Sequence, residues 1–175
     1  TRVKFNAEGQ QVEVRTATRG PKGETSVVKY DGQGRTIEET TSSGGKSETV
    51  KYGADGQVTG RSVRETNGNL TETRIGSRGN VVERTDYTNI ARPGEKPRYG
   101  GFTKTKYDDE GNVLSRAERT PDGSTVQTKF DADGRPRDIV RTEQPSEGRT
   151  IRTEERLDSS GNVTERSITK DGGTT

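Results

Sequence analysis

Cysteine, histidine and methionine are all missing from this chain of 175 residues. Without a thiol or an imidazole there can be no thiol nucleophile, no Ser–His–Asp or Cys–His arrangement, none of the common zinc sites and not the commonest general base. An enzyme built from what remains would use carboxylates, Lys, Tyr or Ser, and without a pocket to shift their pKa values these are ordinary surface groups. The expectation is a non-enzymatic protein with no catalytic residue, no metal ligand and no cofactor. A cysteine-free composition suits an oxidising exterior, which points to an extracellular or cell-surface location. Starting at Thr1 with no methionine anywhere, the sequence reads as a processed chain or an excised piece.

Apolar residues are scarce as well. Only 21% of the chain is hydrophobic against 33% charged, too little for a conventional two-layer core. No run approaches the roughly 18 apolar residues of a membrane span, and the opening TRVKFNAEG has no signal-peptide apolar region. Membrane insertion is not expected. Thirty basic and 28 acidic residues leave a net charge of +2, so no overall field draws in nucleic acid or an anionic membrane. A polar, glycine-rich chain also resembles a disordered segment, but the near-zero net charge and the many strand-favouring Thr and Val residues argue for order.

What the sequence has is a repeat. Lys106–Val113 reads KYDDEGNV, and near copies begin at Lys29 (KYDGQGRT), Lys51 (KYGADGQV) and Lys129 (KFDADGRP). Aligned on the motif glycine there are seven copies, at Gly9, Gly34, Gly56, Gly79, Gly111, Gly134 and Gly161. Counting from that glycine, position −4 is Phe5, Tyr30, Tyr52, Ile75, Tyr107, Phe130 or Leu157, always large and apolar or aromatic. Position −5 is basic in every copy: Lys4, Lys29, Lys51, Arg74, Lys106, Lys129 and Arg156. Position +1 is always Gln, Arg or Asn. The repeat-defining residues are Tyr30 with Gly34, Tyr52 with Gly56, Tyr107 with Gly111, and Phe130 with Gly134.

Asn6-Ala7-Glu8-Gly9, Asp108-Asp109-Glu110-Gly111 and Asp131-Ala132-Asp133-Gly134 suit a type I turn ending in a left-handed glycine, the G1-bulge hairpin loop. Between these turns lies a looser second set, at Gly20–Gly23, Gly44-Gly45, Asn67-Gly68, Pro121–Gly123, Ser146–Gly148 and Asp171-Gly172. Turn signals every 11 to 13 residues or so are the rhythm of a strand meander. The predicted fold is therefore all-β: an antiparallel meander of about seven tandem hairpins in one elongated, twisted or coiled sheet. Its units run about 1–25, 26–48, 49–70, 71–102, 103–124, 125–149 and 150–175, a single array over 1–175. A three-residue loop ending at glycine sets −4 opposite +2, so that Tyr107 faces Val113 and Tyr52 faces Val58. Simple alternation then puts +4, the carboxylates Glu13, Glu38, Glu83, Asp138 and Glu165, on the aromatic face, and the arginines at +5 with the basic −5 column on the other.

Lys29-Tyr30-Asp31-Gly-Gln-Gly34-Arg35-Thr36 and Thr105–Leu114 resemble the YD repeats of RHS proteins, over nearly the whole chain and most clearly at 26–70 and 103–140. The resemblance implies a scaffold of β-hairpin strips with no catalytic residue to carry over. In that family such strips spiral into shells around toxins or build barrels of adhesion proteins. The second aromatic usual two residues before the Tyr is here Val, Thr or another residue.

Other chemical signals have plainer readings. Asp-x-Asp-Gly at Asp131–Gly134 could suggest calcium, but the twelve-position loop with its terminal Glu is missing, and a type I turn needs the same residues. The basic column is flanked by Glu and Asp, as a solvated charged face would be, and no aromatic-rich nucleic-acid motif or phosphate-cradling loop accompanies it. The irregular fourth unit, 87–102, gathers Tyr87, Ile90, Arg92, Arg98, Tyr99 and Phe102 into a candidate contact loop. Candidate assembly edges are the first and last strands, through Val3, Phe5, Glu165 and Ile168. Two functions follow as expectations. One is a structural fibre subunit or stalk whose main partner is itself. The other is a segment of a larger adhesin or toxin-delivery protein that binds a glycan or a cell-surface protein.

Overall fold

The computed structural model describes residues 1–92, 94–146 and 149–171. All regular structure among them is strand: β1 Arg2–Phe5, β2 Gln11–Arg19, β3 Thr25–Asp31, β4 Thr36–Ser43, β5 Lys46–Tyr52, β6 Val58–Arg64 and β7 Leu70–Ile75. The second half continues with β8 Val81–Asn89, β9 Tyr99–Tyr107, β10 Val113–Arg119, β11 Thr125–Phe130, β12 Pro136–Ser146, β13 Arg149–Leu157 and β14 Val163–Asp171. Strand order is chain order, an antiparallel meander that does not close. The all-β reading and the hairpin meander are thus the observed fold. The strands fall into two compact units, Thr1–Val81 with β1–β7 and Val82–Thr175 with β8–β14.

Every motif glycine has positive φ, between 76° and 91°. At Gly111 the N–H donates to the Asp108 carbonyl (3.2 Å) while the Asp108 N–H donates to the Asn112 carbonyl (3.0 Å), which closes a three-residue loop. A side chain with a Cβ is disfavoured in that left-handed position, so the motif keeps glycine. The second set of turns uses the same loop at Gly20–Glu24, Glu65–Asn69 and Thr120–Ser124. Gly44-Gly45 differs: Ser43 pairs with Lys46, and both glycines have positive φ, a two-residue hairpin turn. Of the remaining second-set turns, Asp171 is the last residue of β14, and 147–148 and Gly172 lie outside the described residues.

The −4/+2 pairing is present as Tyr107–Val113, Tyr52–Val58 and Leu157–Val163, and likewise as Tyr30–Thr36, Phe130–Pro136 and Phe5–Gln11. Beyond it the expected faces are wrong. A bulge follows in each of these hairpins, and it leaves the residue at +3 unpaired. One extra residue reverses which face every later side chain occupies. Position +4 therefore stands opposite −5: Lys4–Glu13, Lys29–Glu38, Lys129–Asp138 and Arg156–Glu165. Glu83 likewise stands opposite Lys106 of the next copy. The carboxylates Glu13, Glu38, Glu83, Asp138 and Glu165 thus lie on the basic face and not on the aromatic one. The +5 arginines cross to the aromatic face, with Arg61 opposite Val50, Arg116 opposite Thr105 and Arg166 opposite Glu155.

No hydrophobic residue is buried among the described residues, and the two buried side chains are Thr85 and Thr105. With no hydrophobic core among these residues, the backbone ladder and cross-strand pairs must provide most of the order. The threonine pair Thr40–Thr49, bonded through its hydroxyls at 2.9 Å, is one such contact.

Candidate functional site

The turns show why the motif has Asp at −3 and an amide or guanidinium at +1. Asp108 Oδ1 accepts the backbone N–H of Glu110 (3.0 Å) and of Asn112 (2.8 Å), while the Asn112 amide donates to Oδ2 (3.0 Å). Asp158 repeats this with Ser160 and Asn162, and Asp31 with Gln33 and Arg35, where Arg35 Nε reaches Oδ2 at 2.7 Å. The Asn112 side-chain bond, then the loop N–H groups, hold Asp108 below the usual carboxylate range. The Asn162 and Arg35 backbone N–H groups come first for Asp158 and Asp31, which are lowered likewise. Each +1 arginine that reaches further ties its turn to the next copy's turn: Arg35 Nη1 donates to the Ala54 carbonyl (3.4 Å) and Arg135 Nη1 to the Ser159 carbonyl (3.5 Å).

On the basic face, the pairing of −5 with +4 builds a row of alternating charge that runs across the strands. In the second unit the row reads Glu83, Lys106, Ser115, Lys129, Asp138, Arg156, Glu165. In the first unit Lys29, Glu38, Lys51, Gly60 and Arg74 form a row of the same kind. Ion pairs form at these repeat positions, Lys4–Glu13 at 3.2 Å on β1 and β2 and Arg156–Glu165 at 2.9 Å, with Arg156 also 3.9 Å from Asp138. On the opposite face Glu155, its side chain 9% exposed, accepts from Arg141 of β12 and Arg166 of β14. The Arg141 and then the Arg166 guanidinium hold it below the usual carboxylate range.

The candidate assembly edges Val3, Phe5, Glu165 and Ile168 lie on β1 and β14. β1 and β14 are the first and last strands of the order, and every residue of both is exposed. Val3, Phe5, Val163 and Ile168 are 39%, 63%, 46% and 56% exposed, four of the seven exposed large hydrophobic side chains among the described residues. On their inner sides, Val3 pairs with Val14, Phe5 with Gln11, Glu165 with Arg156 and Ile168 with Thr153.

The candidate contact loop is largely strand. Tyr87 ends up in β8, and Tyr99 and Phe102 in β9, so that only Ile90, Arg92 and Arg98 lie in the connection. Tyr87 stands opposite Phe102 and Asn89 opposite Tyr99, which brings the three rings together with centroids 5.3 Å (Tyr87–Tyr99) and 6.2 Å (Tyr87–Phe102) apart. Asn89 Oδ1 closes the connection by accepting the N–H groups of Ala91 and Arg98. Ile90 lies against Gly100, and a Cβ at Gly101 would come within 2.3 Å of the Arg119 carbonyl oxygen. The run of Pro and Gly at 93–101 hid these strand ends in the sequence. Of the repeat-defining residues, Tyr30, Tyr52 and Gly56 line an open depression of about 640 Å³ with Arg35, Thr36 and Glu39, while Gly34, Tyr107, Gly111, Phe130 and Gly134 hold their hairpins.

No known protein family and no curated protein matches the sequence. Among solved structures, the chain is similar to a chain of the Photorhabdus luminescens Tc holotoxin pore, with 15% identity and a TM-score of 0.31 over 96% of this chain. It is also similar to a chain of the TcdB2-TccC3-Cdc42 complex, at 11% identity and a TM-score of 0.30 over 99% of this chain. It spans 9% and 14% of the lengths of those two chains. A porin-like protein from Bacteroides uniformis matches at 9% identity and a TM-score of 0.21, with 92% of this chain and 93% of that one covered. Scores and identities this low assign no family.

Proposed function

We propose that this chain is a non-enzymatic structural repeat array, working outside the cell or at its surface, that extends by strand addition at β1 and β14 into a homopolymer. The observation that carries the reading is the state of these two strands. Each has one partner strand in the order, an outer edge of backbone groups with no strand against it among the described residues, and exposed apolar side chains beside that edge. Such an edge is a template for another strand. Head-to-tail addition does not close, so it yields filaments. Sedimentation velocity and electron microscopy over a concentration series test this. Particle mass should rise with concentration and filaments should appear, whereas a strict monomer at every concentration would overturn the reading.

One observation favours a second reading, a glycan- or protein-binding segment of a larger adhesin or toxin-delivery protein. The rings of Tyr87, Tyr99 and Phe102 meet on one face beside the 90–98 connection, and aromatic clusters are common anchors in recognition. A glycan array probed with the parent and with Tyr99→Ala separates the two readings. Binding that the variant loses would favour recognition, and no binding by either protein would remove it.

A further inference from the structure

Strand addition leaves open which edge meets which, and in what register. The charge row answers both. Six connections from one copy to the next can be compared, each joining the second strand of a hairpin to the first strand of the following one. In five of them +4 stands opposite −5: Glu38–Lys51, Gly60–Arg74, Glu83–Lys106, Ser115–Lys129 and Asp138–Arg156. The exception is β2–β3, shifted by two residues so that Glu13 meets Asp31 and Arg15 meets Lys29. That one puts like charges opposite each other.

On β1 and β14 the charge pairing is half satisfied. An interior member such as Arg156 has a carboxylate on each side, Asp138 on β12 and Glu165 on β14. Lys4 has Glu13 on its inner side, and Glu165 has Arg156 on its inner side; their side chains are 63% and 64% exposed. At equivalent repeat positions β1 therefore offers a cation, Lys4, and β14 a carboxylate, Glu165. A second β1 is a poor partner for β1, because every face-matched antiparallel register sets Arg2 or Lys4 against another cation.

Resting on the strand-addition reading, we propose that β14 of one copy pairs with β1 of the next in the majority register, with Glu165 opposite Lys4, Arg166 opposite Val3 and Ser167 opposite Arg2. The partner is a second copy of this chain, and the junction repeats the chain's own internal connection. Backbone bonds hold the junction, and the charge row selects its polarity and register.

The absence of native cysteine makes a direct test simple. Opposed residues of adjacent strands lie within the separation a disulfide spans. Copies carrying Lys4→Cys are mixed with copies carrying Glu165→Cys or, separately, with copies carrying Ser167→Cys, and then oxidised. The second mixture reports the register shifted by two, the one that β2–β3 uses. Heterodimers should form several-fold faster in the Lys4→Cys plus Glu165→Cys mixture. Faster cross-linking to Ser167→Cys would overturn the register while strand addition stands. Lys4→Cys homodimers as the main product would overturn the head-to-tail polarity. No cross-linked product in either mixture, from protein that sediments as a monomer, would overturn both this inference and the assembly it rests on. As a second arm, Glu165→Lys should weaken self-association several-fold, and Lys4→Glu in the partner copy should restore it; loss without restoration would show that the charges do not meet.

Discussion

At Gly111 the φ of 91° leaves the neighbouring space empty, so what excludes a side chain there is backbone strain and not crowding. Gly111→Val should therefore cost on the order of 1–3 kcal/mol, and Glu110→Ala, one residue earlier, should stay within about 0.5 kcal/mol of the parent. Chemical denaturation monitored by circular dichroism measures both, and equal losses would refute the loop assignment. The aspartate at −3 makes a second prediction. Asp108, Asp31 and Asp158 all have pKa values lowered in the fold by hydrogen bonds to the loop. A lowered native pKa means a stabilising contribution that is complete above the ordinary carboxylate range and is lost as the pH falls through the native value. Stability should thus decline in acid. Asp108→Asn keeps an oxygen acceptor for the Glu110 and Asn112 N–H groups but cannot titrate, so it should flatten part of that decline while changing neutral-pH stability less than Asp108→Ala. An Asn variant with the parent's full acid dependence would show that this carboxylate plays no part.

Within the β12–β14 ribbon, Glu155 accepts guanidinium bonds from the strands on both sides, whereas Glu154 meets Arg152 of its own strand at 51% exposure on each side chain. Removing a shared acceptor leaves two arginines without it, while an exposed pair along one strand contributes little. Glu155→Ala should speed amide exchange across β12, β13 and β14 and lower the denaturation midpoint, and Glu154→Ala should leave both near the parent. Similar behaviour of the two variants would contradict this assignment. Much of this architecture could be read from the sequence. The glycine spacing gave the hairpins, and the aromatic column gave the −4/+2 pairs, because both columns repeat one chemical type. The bulge at +3 is not legible in the sequence, because Ile37, Thr59, Leu114, Arg137 and Thr164 at that position share no chemistry. What marks the site is backbone geometry, aided where a threonine hydroxyl reaches across, Thr59 to the Lys51 carbonyl and Thr164 to the Arg156 carbonyl. The charge row depended on that bulge. The +1 column was visible, but its purpose required the Asx bonds at the turn.

For the whole molecule, we propose that a sheet with no buried hydrophobic residue among its described residues is continued by further copies at β1 and β14. Each unit leans on its neighbours along the array, so the last strand at either end has the least to hold it. Hydrogen exchange read by mass spectrometry at low and at high protein concentration tests this most directly. Peptides covering 1–5 and 163–171 should exchange quickly in dilute protein and gain protection as concentration rises, while peptides covering the interior strands change little. Protection that grows instead over 87–102, or no concentration dependence anywhere, would contradict the claim.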